Sequence, residues 1–217
     1  MEEQSQQIVV AAFDVDGTLT TRDCVVPFLV RVAGRRALLA AGLRHPLLLA
    51  LTALGRGDRD RMKELVVGRL FRGRSQLAVD EAGRSFAQSH AAGWLRPDTL
   101  ERLRWHRASG HHVVLVSASL RSYLQPLADE ALGGVHAVLC TDVEVSDDGT
   151  FTDRLAGGNC RGPEKSRRLA TWIGSRSATI YAYGDSAGDR ELLAMADYPH
   201  RVRGVVITPV PEVGQAA

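Results

Sequence analysis

Two aspartates stand two residues apart in DVDGTLT, at Asp14 and Asp16, directly after the unbroken apolar run IVVAAF of residues 8–13. Two carboxylates held ~4 Å apart repel by about 4 kcal/mol at an effective dielectric of 20, so a cation or a shared proton must offset them. Taken alone, Asp-x-Asp-Gly reads equally well as a turn or a helix N-cap. Three further stretches shift the balance. VVLVSAS runs out of an apolar stretch into Ser117, GPEKSRRL places Lys165 at a helix start, and ATIYAYGDSAGD ends on Asp185 with Asp189 shortly after. Ligands of an open parallel sheet bind outside the carboxyl ends of its strands, so such a sheet brings these junctions to one edge. Aspartates with one hydroxyl and one lysine suit a hard, oxygen-seeking cation such as Mg²⁺ better than zinc.

The elements that must position these residues are legible in outline. Residues 8–13 and 113–116 read as strands covered on both faces, since neither shows polar alternation. Residues 135–139, 178–183 and 204–208 are further strands. Helical spacing predicts helices over 98–108, 120–131, 165–173 and 189–196. Strands alternating with helices imply an α/β fold, a Rossmann-like doubly wound parallel sheet. The stretch VEVSDDGTFTDRL, with Asp148-Gly149 between two short alternating runs, predicts a small β-hairpin. Residues 24–92 carry almost no strand pattern and read as a helical insertion. The division expected is a core of residues 1–22 and 93–217 with an all-helical cap over 23–92. The tail TPVPEVGQAA reads as frayed.

Composition narrows the function classes. Of 217 residues, 45% are hydrophobic and 24% charged, as in ordinary globular proteins. A net charge of +2 with no basic block gives no footprint for nucleic acid. Only Lys63 and Lys165 among the 27 basic residues are lysines, which marks both for attention, because lysine serves as a compact point charge where arginine does not. Three widely spaced cysteines without a CxxC, and the acidic, polar start MEEQSQQ, predict a cytoplasmic protein without a signal peptide. The apolar tract 37–54 is broken by Arg44, His45 and Pro46. It therefore predicts two packed helices and no stable membrane insertion, with an interfacial membrane contact as the alternative. His111 and His112 lack a second ligand pair for zinc, and Cys160 reads as a packing residue.

DVDGTLT, VSAS, Lys165 and GDSAGD, in that order over roughly residues 8–198, resemble the four motifs of the haloacid dehalogenase-like (HAD) phosphohydrolases. The insertion after the first motif is similar to the cap of the phosphoserine phosphatase-like branch, subfamily IB. NCRGPEKSRRL looks like a subgroup that includes loosely assigned phosphoserine phosphatases and a phosphatidylglycerophosphatase. The resemblance implies Asp14 as nucleophile, forming an aspartyl-phosphate, and Asp16 as general acid and then base. It implies Mg²⁺ held by Asp14, the Asp16 carbonyl and Asp185. Asp189 would support a metal-bound water or Lys165. Ser117, the Ala118 amide and Lys165 would hold phosphate oxygens. An acid at Asp16 fits an alkoxide leaving group, which the family's dehalogenases do not have.

The expected activity is therefore an Mg²⁺-dependent phosphatase acting on a small phosphorylated substrate, as monomer or homodimer. Asp23 stands near the acidic residue that reads the amine in phosphoserine phosphatase, but it is shorter than the usual glutamate. SAS replaces SGG, and Gly188 replaces asparagine; these three departures weigh against phosphoserine itself. Arg61, Lys63, Arg69 and Arg72 are candidates for reading a second substrate anion, against the alternative of a solvated charged face. The competing readings are a lipid-phosphate phosphatase, a phosphotransferase, and a non-catalytic binding module on the same fold.

Overall fold

A computed structural model of the chain describes residues 7–202. Six strands, β1 (Ile8–Phe13), β2 (His112–Leu120), β3 (Ala137–Val145), β4 (Phe151–Ala156), β5 (Ala178–Gly184) and β6 (Tyr198–Arg201), form one sheet in the order β4-β3-β2-β1-β5-β6. Every pairing is parallel except β3 with β4. The α/β expectation holds. The strand expected at 204–208 and the tail after it lie outside the described residues.

β1 occupies the middle because its residues are apolar on both sides. Alternate residues face two separate clusters. Ala11 and Phe13 join Val113, Leu115 and Tyr183 on one face, while Val10 and Ala12 join Val114, Val116 and Ala182 on the other. The second face is covered by α8 (Pro163–Ile173) and α9 (Arg190–Ala194), through Leu169, Ile173 and Leu192. The first face takes α6 (Pro97–Ala108), through Leu103, and α7 (Arg121–Pro126), through Tyr123 and Leu124, the latter continued by a π-helical turn over Leu127–Ala131. Burial on both faces explains the missing polar alternation.

Between β1 and α6 lie five α-helices and no strand: α1 (Val25–Ala33), α2 (Arg35–Leu43), α3 (Pro46–Ala53), α4 (Arg59–Phe71) and α5 (Gln76–Phe86). The chain leaves and re-enters the core side by side, with Thr20 and Leu95 forming an isolated antiparallel bridge. The insertion shares the first face's hydrophobic cluster. Phe28 of α1 packs edge-on to Tyr123 of α7, centroids 4.9 Å apart, and also meets Phe71 and Phe86. α5 passes so close to α7 that a Cβ on Gly83 would sit 2.0 Å from the Ser122 carbonyl oxygen. Glycine is what permits that approach.

Three elements differ from the sequence expectation. The hairpin is present, but its first arm is continuous with the preceding strand, so β3 runs from Ala137 to Val145. It is also no free excursion, since Ser75 bridges Thr150 and the Gly73 amide donates to the Phe151 carbonyl. β6 is a four-residue edge strand, YPHR, too short and polar to announce itself; its proline is tolerated only at an edge. The tract 37–54 does form two helices, yet α3 buries none of its residues. Among the described residues, no helix is long and apolar enough to cross a membrane.

Candidate active site

The site lies where β1, β2 and β5 end. Asp14 follows the last residue of β1, its amide donating to the Tyr183 carbonyl at 2.9 Å. The turn after it is tied by the Thr18 amide to the Val15 carbonyl, 3.1 Å. Gly17 is required here twice over. Its φ is +85°, and a Cβ would lie 2.5 Å from a carboxylate oxygen of Asp185. Asp185 follows the end of β5 at Gly184. Ser117 stands in β2 where the pairing with β3 shifts register.

Lys165 comes from the first turn of α8, which starts with Pro163 after Gly162. It is 2% exposed, and its Nζ donates to Asp14 Oδ1 and Asp189 Oδ1 at 2.5 Å each. Asp189 is fully buried; its Oδ2 accepts from the Ser186 amide and hydroxyl at 2.9 and 2.8 Å. Burial opposes the charge on Lys165, but the two carboxylates outweigh it and hold the ammonium above its ordinary pKa. Burial likewise acts to raise Asp189, and Lys165 and Ser186 more than offset it, leaving this carboxyl below its usual range. Asp14 is lifted by burial to about 6, against the pull of Lys165.

Asp16 is a different kind of acid. Its Oδ2 accepts from Ser119 Oγ and its Oδ1 from the Cys24 amide, both at 2.9 Å. No lysine pairs with it, and burial, with the charges of Asp23 and Asp14, pushes it up to about 7. One carboxyl is thus held against a cation, and the other is poised to carry a proton at neutral pH.

Carboxylate oxygens of Asp14, Asp185 and Asp189 lie within 4.8 Å of one another, the one such acidic, histidine or cysteine cluster among the described residues. An all-oxygen donor set of this kind fits a hard divalent cation. A cavity of about 620 Å³ opens beside Asp14 and is lined there by Asp14, Asp16, Ser117, Ala118 and Lys165.

The other expected residues divide. Lys63 of α4 reaches the site: its Nζ donates to the Ala118 carbonyl and to Asn159 Oδ1 at 2.9 Å. Arg61 pairs instead with Glu64 at 2.7 Å and, with Arg69 and Arg72, lines a separate cleft. Asp23 lines the cavity, and its Oδ2 accepts the Val26 amide at 3.0 Å, capping the start of α1. His111 contacts His106 at 2.8 Å, and Cys160 is buried, its thiol pushed up by burial. Sequence reasoning overlooked Ser119, Asn159 and Ser186. The first stands in VSAS and the last in GDSAGD, so the motifs carried the signal. Asn159 gains meaning only from contact with α4.

The sequence matches the family of haloacid dehalogenase-like hydrolases over residues 11–194. The chain belongs to the haloacid dehalogenase-like hydrolases. Protein CicA of Caulobacter vibrioides is 35% identical over 197 residues, covering 90% of this chain and 86% of that one. A Bordetella pertussis Tohama I protein of unknown function superposes with a TM-score of 0.70 at 25% identity, over 87% of each chain. A probable phosphoserine phosphatase of Vibrio cholerae gives 0.62 at 16% identity, over 88% of this chain and 55% of that one. This last likeness is one of fold. The present chain is a hydrolase of the haloacid dehalogenase-like family with the fold of its phosphoserine phosphatase-like branch.

Proposed function

We propose that the protein is an Mg²⁺-dependent phosphomonoesterase working through an aspartyl-phosphate at Asp14. The observation that carries this reading is the buried Lys165 ammonium held at 2.5 Å from both Asp14 and Asp189, beside an Asp16 that has no lysine partner. The Asp14 carboxylate attacks phosphorus, the bond to the ester oxygen breaks, and Asp16 delivers its proton to that oxygen. Asp16, now a carboxylate, takes a proton from water as the water oxygen attacks phosphorus. The Asp14–phosphorus bond then breaks, and inorganic phosphate leaves. Lys165, Ser117 and the Ala118 amide hold phosphate oxygens, so the charge is met by groups already in place. The carboxylates of Asp14 and Asp185 and the Asp16 carbonyl would hold Mg²⁺, with Asp189 in support; the ion would supply charge neutralisation at the phosphate.

Residues 23–92 act in this reading as a cap over a core of residues 1–22 and 93–217. Lys63 supports that division by crossing from α4 to the Ala118 carbonyl. Three free, buried cysteines are in keeping with a reducing cytoplasm. Phosphate release from p-nitrophenyl phosphate with Mg²⁺ tests the mechanism. Wild-type protein should turn over and Asp14→Asn should not; equal activity in the two would refute the assignment of Asp14.

A further inference from the structure

The cavity that begins at the carboxylates does not stay polar. Its other end is walled by aliphatic side chains of α1, α2 and α3, among them Val26, Leu38, Leu39, Leu43 and Leu49. Several of these are open to solvent: Leu39 and Leu43 are 64% exposed, and Leu49 is 37% exposed. Leucines scattered singly on a surface need no explanation, but these line one space whose far end is Asp14 and Lys165. α3 adds to the oddity, since none of its leucines is fully buried and Leu48 is only half-buried. A small polar phosphate ester would occupy the carboxylate end and leave the leucines wet.

We infer that the substrate is an amphiphilic phosphomonoester, a phosphate head with a long alkyl or acyl chain, whose chain lies along the leucines of α2 and α3 while its phosphate meets Asp14 and Lys165. The inference rests on the phosphatase reading of the same site. Continuity is what selects this occupant: one cavity offers a cation-lined anion site at one end and an aliphatic wall at the other. The volume of about 620 Å³ falls in the range of small-molecule sites, so it holds a single ligand with room beyond the head.

Monoalkyl phosphates from butyl to dodecyl, kept below their micelle concentrations, test this in two arms. The first measures binding calorimetrically in the Asp14→Asn protein, which needs no turnover. A fully buried methylene is worth about fourfold in affinity, and this wall is half open, so the Kd of dodecyl phosphate should fall at least about thirtyfold below that of butyl phosphate. The double variant Leu39→Asn/Leu43→Asn should flatten that series; both positions are exposed enough for the fold to tolerate the change. The second arm measures phosphate release by wild-type protein, where kcat/KM should climb with chain length. Chain-dependent binding without release from any ester would support the apolar subsite and refute the hydrolase reading. Affinity and kcat/KM that ignore chain length would overturn the inference. So would adhesion to phosphatidylglycerol vesicles with a flat alkyl series, which would make α2 and α3 a membrane-docking face instead.

Discussion

The Ser119 hydroxyl donates to Oδ2 of Asp16 at 2.9 Å, and Ser119 is itself tied to Ser117 by its amide at 3.1 Å. The stretch VSAS therefore touches both Asp16, the acid of the proposed mechanism, and Ser117, its proposed phosphate ligand. With the Cys24 amide on Oδ1, the carboxyl is fixed in one orientation. Removing Ser119 should blur the aim of Asp16 without touching Asp14. Ser119→Ala is expected to lower kcat for an alkyl phosphate about tenfold or more, within the range that a positioned acid contributes. The p-nitrophenyl ester, whose leaving group needs no proton, should be affected far less. Ser119→Thr should recover part of the loss. Equal losses on both esters would mean that Ser119 supports the fold and not the acid.

An Asp16 carboxyl raised to about 7 is protonated below that pH and ionised above it. Transfer of a proton to an alkoxide needs the protonated form. The rate for an alkyl phosphate relative to p-nitrophenyl phosphate should therefore decline as pH rises through about 7, by up to tenfold per unit. Asp16→Asn should hold that ratio low and make it independent of pH. A ratio that stays constant from pH 5 to 9 in wild-type protein would remove Asp16 from the role of acid.

Asp14, Lys165, Asp185 and Asp189 were legible because backbone geometry places them. Each stands at a strand end or helix start, and parallel strands send all such ends to one edge. The doubly wound core was legible for the same reason, since IVVAAF and VVLV can be covered only on both faces. What failed to show were the contacts made across the insertion. Lys63 and Arg61 stand two apart in one polar helix, and periodicity cannot tell which faces the site. In the structure Lys63 bonds Asn159, 96 positions along, while Arg61 pairs with Glu64 in its own helix. β6 was silent because four residues, one of them proline, carry no pattern.

Behind the sheet edge, His106 is fully buried between His111 and the Tyr183 hydroxyl, 2.8 Å from each. Burial, with His111 and nearby Arg102 and His200, presses its pKa from 6.5 down to about 3. Between those values the unfolded chain binds a proton here that the folded protein does not. Stability should therefore be complete above about pH 6.5 and fall as pH drops toward 3. The slope from this one site approaches at most about 1.4 kcal/mol per unit. Urea unfolding of wild type and His106→Gln across this window measures it. The variant should lose that part of the slope; identical slopes would show that the proton is taken up elsewhere.

Lys63 makes the clearest tie between the insertion and the catalytic end of the sheet. From α4 its Nζ donates to the Ala118 carbonyl and to Asn159 Oδ1 at 2.9 Å, while Asn159 Nδ2 donates to Asp60 of the same helix at 2.6 Å. Burial presses Lys63 down to about 8, with Asp16 the strongest of the charges resisting that fall, so it remains mostly charged at neutral pH. Lys63→Met keeps the aliphatic stem and removes three donors, leaving the Ala118 and Asn159 acceptors without this partner. The expected cost is about 1–3 kcal/mol in stability. Because the proposed mechanism has the Ala118 amide hold a phosphate oxygen, KM for a phosphate ester should rise several-fold as well. Arginine at this position should not restore it, since a planar fork cannot replace a compact ammonium set among the Ala118 carbonyl, Asn159 Oδ1 and Thr141 Oγ1, the last at 3.4 Å. Hydrogen exchange at the α4 amides separates the two effects. Faster exchange with raised KM fits a latch between insertion and site, whereas an unchanged KM would confine Lys63 to holding the fold.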